Sequence, residues 1–96
     1  METWTLKRRP SWMHVADPRI LVAMKFGEGP TSLGALHRSQ PYPLVYLRQR
    51  CERLAAEGLV QPVVEHQYRL RELGRAFLDG EVAVDDLEAG WTWPPG

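Results

Sequence analysis

Residues 41–58 read PYPLVYLRQRCERLAAEG, and the rest of the sequence is organised around this stretch. Apolar side chains recur at spacings of three and four, the period of a helix with one buried face. The predicted buried stripe consists of Leu44, Leu47, Cys51 and Leu54. At about 100° per residue, the opposite face carries Tyr42, Val45, Tyr46, Gln49 and Arg53, with Arg48 and Arg50 on its flanks.

The polar face of this predicted helix has two interpretations. Tyrosine, glutamine and arginine suit a helix that lies in a nucleic-acid groove, where they bind phosphates and base edges. The same residues suit any surface helix of a small domain, because Arg and Gln are good helix formers that tolerate water. On its own the segment favours the surface helix, so the decision depends on the neighbouring segments.

Composition indicates one small globular domain with an uneven charge distribution. The 96 residues contain twelve basic and twelve acidic side chains, so the net charge is zero. Four Arg and one Glu fall in residues 38–53, whereas residues 79–88 hold five acids and no base. Such a chain can bind a polyanion on its basic side while its net charge stays near zero.

The sequence argues against several other classes of protein. A single cysteine excludes an internal disulfide, and Cys51 on the apolar stripe is predicted to be a small buried hydrophobe. His14, His37 and His66 fall in separate segments, with no nucleophile motif or phosphate loop. No apolar run approaches the ~18 residues of a membrane span. We therefore expect a cytoplasmic protein, not an enzyme, with no metal, no cofactor and no membrane partner.

Two further helices are predicted ahead of the central stretch. Asp17-Pro18 is a helix start, in which Asp17 caps the helix and Pro18 takes its first position. This helix ends at residues 27–30, where two Gly and one Pro stop it. Thr31 or Ser32 then caps a short second helix that a brief turn joins to the third. This spacing is typical of a helix-turn-helix.

A hairpin and a fourth helix are predicted after Gly58. Residues 59–64 and 68–70 form two short strands around the polar residues 65–67, and Pro62 predicts an edge strand. A fourth helix follows, in which Gly74 indicates close packing against another element. The order predicts an α+β fold, a small winged helix-turn-helix with three helices, a two-stranded wing hairpin and a C-terminal helix.

The predicted domain has an extension at each end. Residues 1–16 form a basic and aromatic arm, residues 17–80 the winged helix-turn-helix domain, and residues 81–96 an acidic extension. Trp91 and Trp93 in the extension are costly to leave in water and suit a partner surface. The alternative function is therefore a winged-helix module that contacts protein and does not bind DNA.

Seven motifs together resemble a known family. They are DPRIL at 17–21, GPT at 29–31, VYLRQR at 45–50, LAAEGLV at 54–60, YRL at 68–70, ELG at 72–74 and FLDG at 77–80. The combination resembles the winged-helix regulators of archaea, in particular the repressor-like group of haloarchaea and their viruses, over about residues 12–88.

The resemblance implies a transcription regulator, a repressor that binds double-stranded DNA. Its third helix would lie in the major groove and its hairpin wing beside it. Carried over by position, the reading helix matches Tyr46, Gln49 and Arg50, and the wing matches Glu65, His66 and Gln67. Proteins of this kind mostly bind as symmetric dimers, and we expect the dimer contact around the first helix and residues 81–93. The operator and any small-molecule effector stay unknown.

Each candidate contact has an expected chemical role. Gln49 is suited to adenine and Arg50 to guanine, because both side chains can make two hydrogen bonds to those bases. Tyr42 and Tyr46 are expected at thymine methyls or phosphates, although Tyr46 also fits the contact between helix and wing. Taken singly, each side chain equally fits a solvated surface. The residues expected to neutralise phosphates are Arg38, Arg48, Arg50 and Arg53.

Overall fold

A computed structural model describes residues 10–27 and 29–82 of the chain. In chain order the elements are α1 (Ala16–Phe26), β1 (Thr31–Ser32), α2 (Leu33–Ser39), α3 (Leu44–Ala56), β2 (Val60–Pro62), β3 (Gln67–Leu70) and α4 (Glu72–Leu78). The predicted α+β architecture and element order are confirmed, with one additional strand. Residues 1–9 of the arm and residues 83–96 of the extension, including Trp91 and Trp93, lie outside the described residues.

The sheet is antiparallel, with β3 between β1 and β2. The predicted hairpin pairs Val60 with Leu70 and Pro62 with Tyr68, and β2 is an edge strand, as Pro62 predicted. The pairing of Thr31 with Tyr68 adds the strand β1, which the sequence did not predict. Two residues are too short to show an alternating pattern, and their pairing partner lies far along the chain.

The wing turns at residues 64–67, where the backbone N–H of Gln67 donates to the carbonyl of Val64 at 2.9 Å. His66 has a φ of 64°, in the left-handed region that His tolerates better than most side chains. Its carbonyl accepts from the backbone N–H of Leu33 at 2.9 Å. The turn of the wing is therefore tied to the start of α2.

One of the two predicted helix caps is confirmed and the other is wrong. The hydroxyl of Ser32 accepts from the backbone N–H of Ala35 at 3.0 Å and caps α2. Asp17 does not cap α1, because the helix begins one residue earlier at Ala16. Its carboxylate instead accepts from the backbone N–H of His14 at 3.0 Å and from the side chain of Arg50.

The core lies between the helices and the sheet, with α3 packed against α1, α2 and β2. Leu47, Cys51 and Leu54 are completely buried, as predicted, and burial raises the pKa of the Cys51 thiol to about 12. Leu44 was predicted on the same stripe but is 47% exposed. It is the first residue of α3, at the end of the stripe.

Gly74 confirms the predicted close packing of α4. A Cβ atom at this position would overlap the carbonyl oxygen of Leu59 and lie 2.6 Å from Cδ1 of Leu70. Since Leu59 follows α3 directly and its carbonyl accepts from the backbone N–H of Arg71 at 3.0 Å, it has little freedom to move. The missing side chain of Gly74 thus lets α4 approach the strand that follows α3.

Candidate nucleic-acid interface

The outward face of α3 is open to solvent. Val45 is 63% exposed, and Arg48, Gln49, Glu52 and Arg53 are exposed as well. Val45, Gln49 and Glu52 follow each other at spacings of four and three, so they share the centre of the face. Helix α3 also follows α2 after a four-residue connection, as the second helix of a helix-turn-helix.

Arg50 does not lie on this face, and the prediction that it reads guanine and neutralises phosphate is wrong. Only 8% of Arg50 is exposed. Its Nε donates to Oδ1 of Asp17 at 2.9 Å, and its Nη2 donates to Oδ2 of Asp17 at 2.7 Å and to the carbonyl of Trp12 at 3.0 Å. With these donors engaged inside the domain, Arg50 cannot reach a base.

The Asp17–Arg50 pair is the functional feature that sequence reasoning missed. The hydrogen bonds to Asp17 raise the pKa of Arg50, so the guanidinium is charged at all relevant pH values. A signal was present in the sequence, because Arg50 lies three residues after Leu47 and four before Leu54. It therefore shares the spacing of the buried stripe.

The outward arginines are paired within α3. Nε of Arg48 lies 3.2 Å from Oε2 of Glu52, and Nε of Arg53 lies 3.0 Å from Oε2 of Glu57. Both are pairs of partly or largely exposed residues one helical turn apart, which contribute about 0.3–0.5 kcal/mol. Such weak pairs can open when a phosphate competes for the guanidinium. The structure thus keeps Arg48 and Arg53 available on the two flanks of the face.

Arg53 also contacts the segment that precedes α1. Its guanidinium carbon lies 5.2 Å from the centre of the Trp12 ring, a distance that allows a cation–π interaction. Trp12 is half-buried against the core, and its carbonyl accepts from Arg50. Two arginines of α3 therefore hold the residues before α1 beside the outward face of α3.

Tyr42 and Tyr46 form an aromatic cluster at the start of α3. The two rings are 5.5 Å apart, and the Tyr46 hydroxyl lies 2.8 Å from Nδ1 of His14. Burial raises the pKa of Tyr46, so its hydroxyl stays neutral at neutral pH. Both tyrosines are half-buried. They are less open than predicted, and their exposed parts border Val45.

Helix α3 packs against β2, the edge strand of the wing hairpin. Tyr68 of the central strand β3 is buried, and this burial raises its pKa. The third helix and one strand of the hairpin, which were predicted as contact elements, are therefore neighbours in the fold.

The tip of the wing carries two exposed valines beside an acidic side chain and a histidine. Val63 and Val64 are 44% and 57% exposed, and Nε2 of the exposed His66 lies 3.5 Å from Oε2 of Glu65. Gln67, predicted as a wing contact, is half-buried at the start of β3, where it pairs with Ser32 of β1.

Arg38 is the last of the residues that were predicted to bind phosphates. Its side chain is exposed on α2 and makes no ion pair among the described residues. Residues 10–27 and 29–82 contain no group of three or more His, Cys, Asp or Glu side chains that could hold a metal ion. In the same part of the chain no helix is long and apolar enough to cross a membrane.

Comparisons with known proteins agree with this geometry. Residues 6–90 match the family model described as winged helix-turn-helix phage repressor. The solved structure of the PhiH1 repressor-like protein from Haloarcula marismortui is 31% identical to the chain, with a TM-score of 0.70. That match covers 78% of this chain and 86% of the other. A search of curated proteins found no significant match. The resemblance predicted from the seven sequence motifs is confirmed.

Proposed function

Because this chain belongs to the winged helix-turn-helix phage repressor family, we propose that it is a regulator that binds double-stranded DNA sequence-specifically. The observation that carries the proposal is the outward face of α3, where Gln49 is exposed between the flanking Arg48 and Arg53. Such a helix enters the major groove in other helix-turn-helix proteins, with the residues of its N-terminal half at the base edges.

The side chains divide between affinity and sequence reading. Arg48 and Arg53 exchange their glutamate partners for phosphates on the two sides of the groove, and Arg38 of α2 binds a third phosphate. These contacts give affinity that falls with salt and carry no sequence information. Gln49 points to the base edges and is suited to the two hydrogen bonds that adenine offers.

The wing lies beside the helix on the DNA. Residues 63–66 contain two exposed valines and no Lys or Arg, so the wing contacts sugar edges, and His66 adds a phosphate contact. A wing of this kind contributes shape complementarity and less salt dependence than the helix.

Repression, dimerisation and location complete the proposal. The family is one of phage repressors and the solved relative is a repressor-like protein, and repressors act by occupying a site that the transcription machinery needs. We expect a homodimer in the cytoplasm, bound to two half-sites about 34–36 Å apart. The exposed Phe26 at the end of α1 and the residues after 81 are the proposed dimer contact.

Selection from a random duplex pool, followed by titration of the enriched duplex at several salt concentrations, tests the proposal. We expect a two-fold symmetric motif and an affinity that falls steeply with salt. Gln49→Ala should weaken binding about 5- to 150-fold, the equivalent of ~1–3 kcal/mol for one base contact. Gln61→Ala, the same change at an exposed position of β2, is the matched control and should leave binding unchanged.

Two results would contradict the proposal. One is the absence of any enriched motif together with no duplex binding at moderate salt, which would favour the protein-contact alternative. The other is an equal loss in Gln49→Ala and Gln61→Ala, which would remove α3 from the interface.

A further inference from the structure

The outward face of α3 carries an apolar side chain near its N-terminal end. Val45 is the most exposed apolar residue of α3 at 63%, and Leu44 beside it is 47% exposed. A single exposed valine needs no explanation, but this one lies one turn before Gln49 on the same face. The two side chains are about 40° apart around the helix, at about 100° per residue. Val45 and Gln49 are therefore placed to contact neighbouring positions on one bound molecule.

No cation of α3 faces the bases at this centre. Arg50, which would have read guanine, is held by Asp17 inside the domain. Arg48 and Arg53 lie on the flanks with glutamate partners. The base-facing part of α3 within the described structure is thus a valine, an amide and a carboxylate, without the bidentate arginine that guanine reading needs.

The major groove offers one apolar group on its base edges, the 5-methyl group of thymine. In the same groove adenine presents an acceptor and a donor side by side, and a glutamine amide can bind both with two hydrogen bonds. An A·T pair presents both features. Valine and glutamine one turn apart are therefore matched to adjacent A·T pairs, and G·C pairs offer no methyl group to the valine.

We infer that each half-site contains adjacent A·T pairs, in which Gln49 binds an adenine and Val45 packs on a thymine 5-methyl group. The inference rests on the proposed DNA binding and names its substrate class: A·T steps recognised in the major groove through a methyl group. The methyl contact excludes water from Val45 and from the base edge, and so adds specificity without charge.

Replacing thymidine by deoxyuridine tests the methyl contact directly, because base pairing is kept and only the methyl group is lost. The probe is the duplex enriched from the random pool, resynthesised with one deoxyuridine at a time. We expect one position in each half-site at which the wild-type protein binds about fourfold more weakly, the factor that corresponds to one buried methyl group. Elsewhere the substitution should have no effect.

Variants of two exposed valines assign the contact. In Val45→Ala the ratio of thymidine to deoxyuridine affinity at that position should fall towards one. In Val64→Ala, the matched change on the wing, the ratio should equal that of the wild type. Because the readout is a ratio within one protein, a small change in the stability or total affinity of a variant does not affect it.

The outcomes separate this inference from the function on which it rests. Binding of an enriched duplex that is indifferent to deoxyuridine at every position would overturn the inference and leave the regulator intact. A deoxyuridine effect of the same size in Val45→Ala and wild type would overturn the role of Val45. Failure of any duplex to bind would overturn both.

Discussion

Arginine side chains lie on both sides of α3, and their surroundings differ. On the inward side Arg50 is 8% exposed and makes two hydrogen bonds to Asp17, whose side chain is completely buried. On the outward side Arg48 and Arg53 pair with glutamates of the same helical segment and stay largely in solvent. Residue type alone therefore does not decide the role of an arginine in α3; its position around the helix and its partner do.

The two kinds of pair have different consequences. A buried pair adds little net stability over an apolar pair of the same shape, yet removal of one partner leaves an uncompensated charge. The Asp17–Arg50 pair joins α1 to α3, and Arg50 also bonds to the carbonyl of Trp12. The inward arginine thus positions the helix, and the outward arginines are free to bind.

Arg50→Met should give the largest effect. It leaves the buried Asp17 without its partner, and we expect a loss of about 3–5 kcal/mol in the free energy of unfolding. The matched change on the outward side, Arg53→Met, should cost less than about 1 kcal/mol. Urea unfolding of both variants measures the difference.

A double variant shows whether the charge or the shape matters. Asp17→Leu combined with Arg50→Met removes both charges, and it should recover much of the loss seen in Arg50→Met alone. Equal costs for Arg50→Met and Arg53→Met would mean that the two sides of α3 are alike, against this account.

Two glycines allow a similar comparison between a tightly packed position and an open one. Gly74→Ala places a Cβ against the carbonyl of Leu59 and should destabilise the domain by about 1–3 kcal/mol. At Gly34 in α2 a Cβ meets only ordinary contacts, 3.7 Å from Arg38 and 3.9 Å from Ser32. Gly34→Ala should therefore be neutral or gain up to about 1 kcal/mol. Thermal unfolding compares the two, and a loss in both would show that close packing is not the cause at Gly74.

Local signals made much of the fold predictable from the sequence. Ser32 caps α2 as expected, Gly58 ends the turn after α3 with a φ of 87°, and Gly74 marks a close approach. The Ser32 and Gly58 signals act on chain neighbours, and Gly74 signals a close approach by its residue type within a predicted helix. The outward positions of Val45 and Gln49 followed in the same way from the period of the apolar stripe.

The features that could not be predicted depend on distant partners. Asp17 was expected to cap a helix, and it instead bonds to Arg50, 33 residues away. The strand β1 exists because Thr31 meets Tyr68 across the sheet. In both cases the local pattern gave no sign of the distant partner, and tertiary contact decided the outcome.

Cys51 gives the inward side of α3 a measurable pH dependence. Its pKa is raised from 9.0 to about 12 by burial, so above pH 9 the unfolded chain loses a proton that the folded chain keeps. The contribution of the Cys51 thiol to the free energy of unfolding is fully present below pH 9 and decreases as the pH rises towards 12. We expect a slope that approaches ~1.4 kcal/mol per pH unit.

Urea unfolding at pH 8, 9 and 10 checks this slope below the main tyrosine range, and Cys51→Ala is the control. The variant will be less stable at every pH because of the cavity, but its dependence on pH should be flatter. An equal slope in both proteins would assign the pH dependence to other groups.

Substitution of an outward arginine should give the smallest effect, a change in the salt dependence of DNA binding. Arg48→Gln removes one phosphate contact and should lower the slope of log affinity against log salt by about 1. Arg75→Gln changes an exposed arginine of α4 on another face and should leave the slope unchanged. Titrations of the enriched duplex at four salt concentrations measure both, and equal slopes in the two variants would argue against Arg48 as a phosphate contact.

The most direct test of the account is an NMR titration of the labelled protein with the enriched duplex. The account predicts that the largest amide shifts fall in residues 44–53 of α3 and at the wing tip, residues 63–66, with little change in α4. Shifts concentrated in α4 or at the end of α1, with α3 unchanged, would contradict the claim that the outward face of α3 binds DNA.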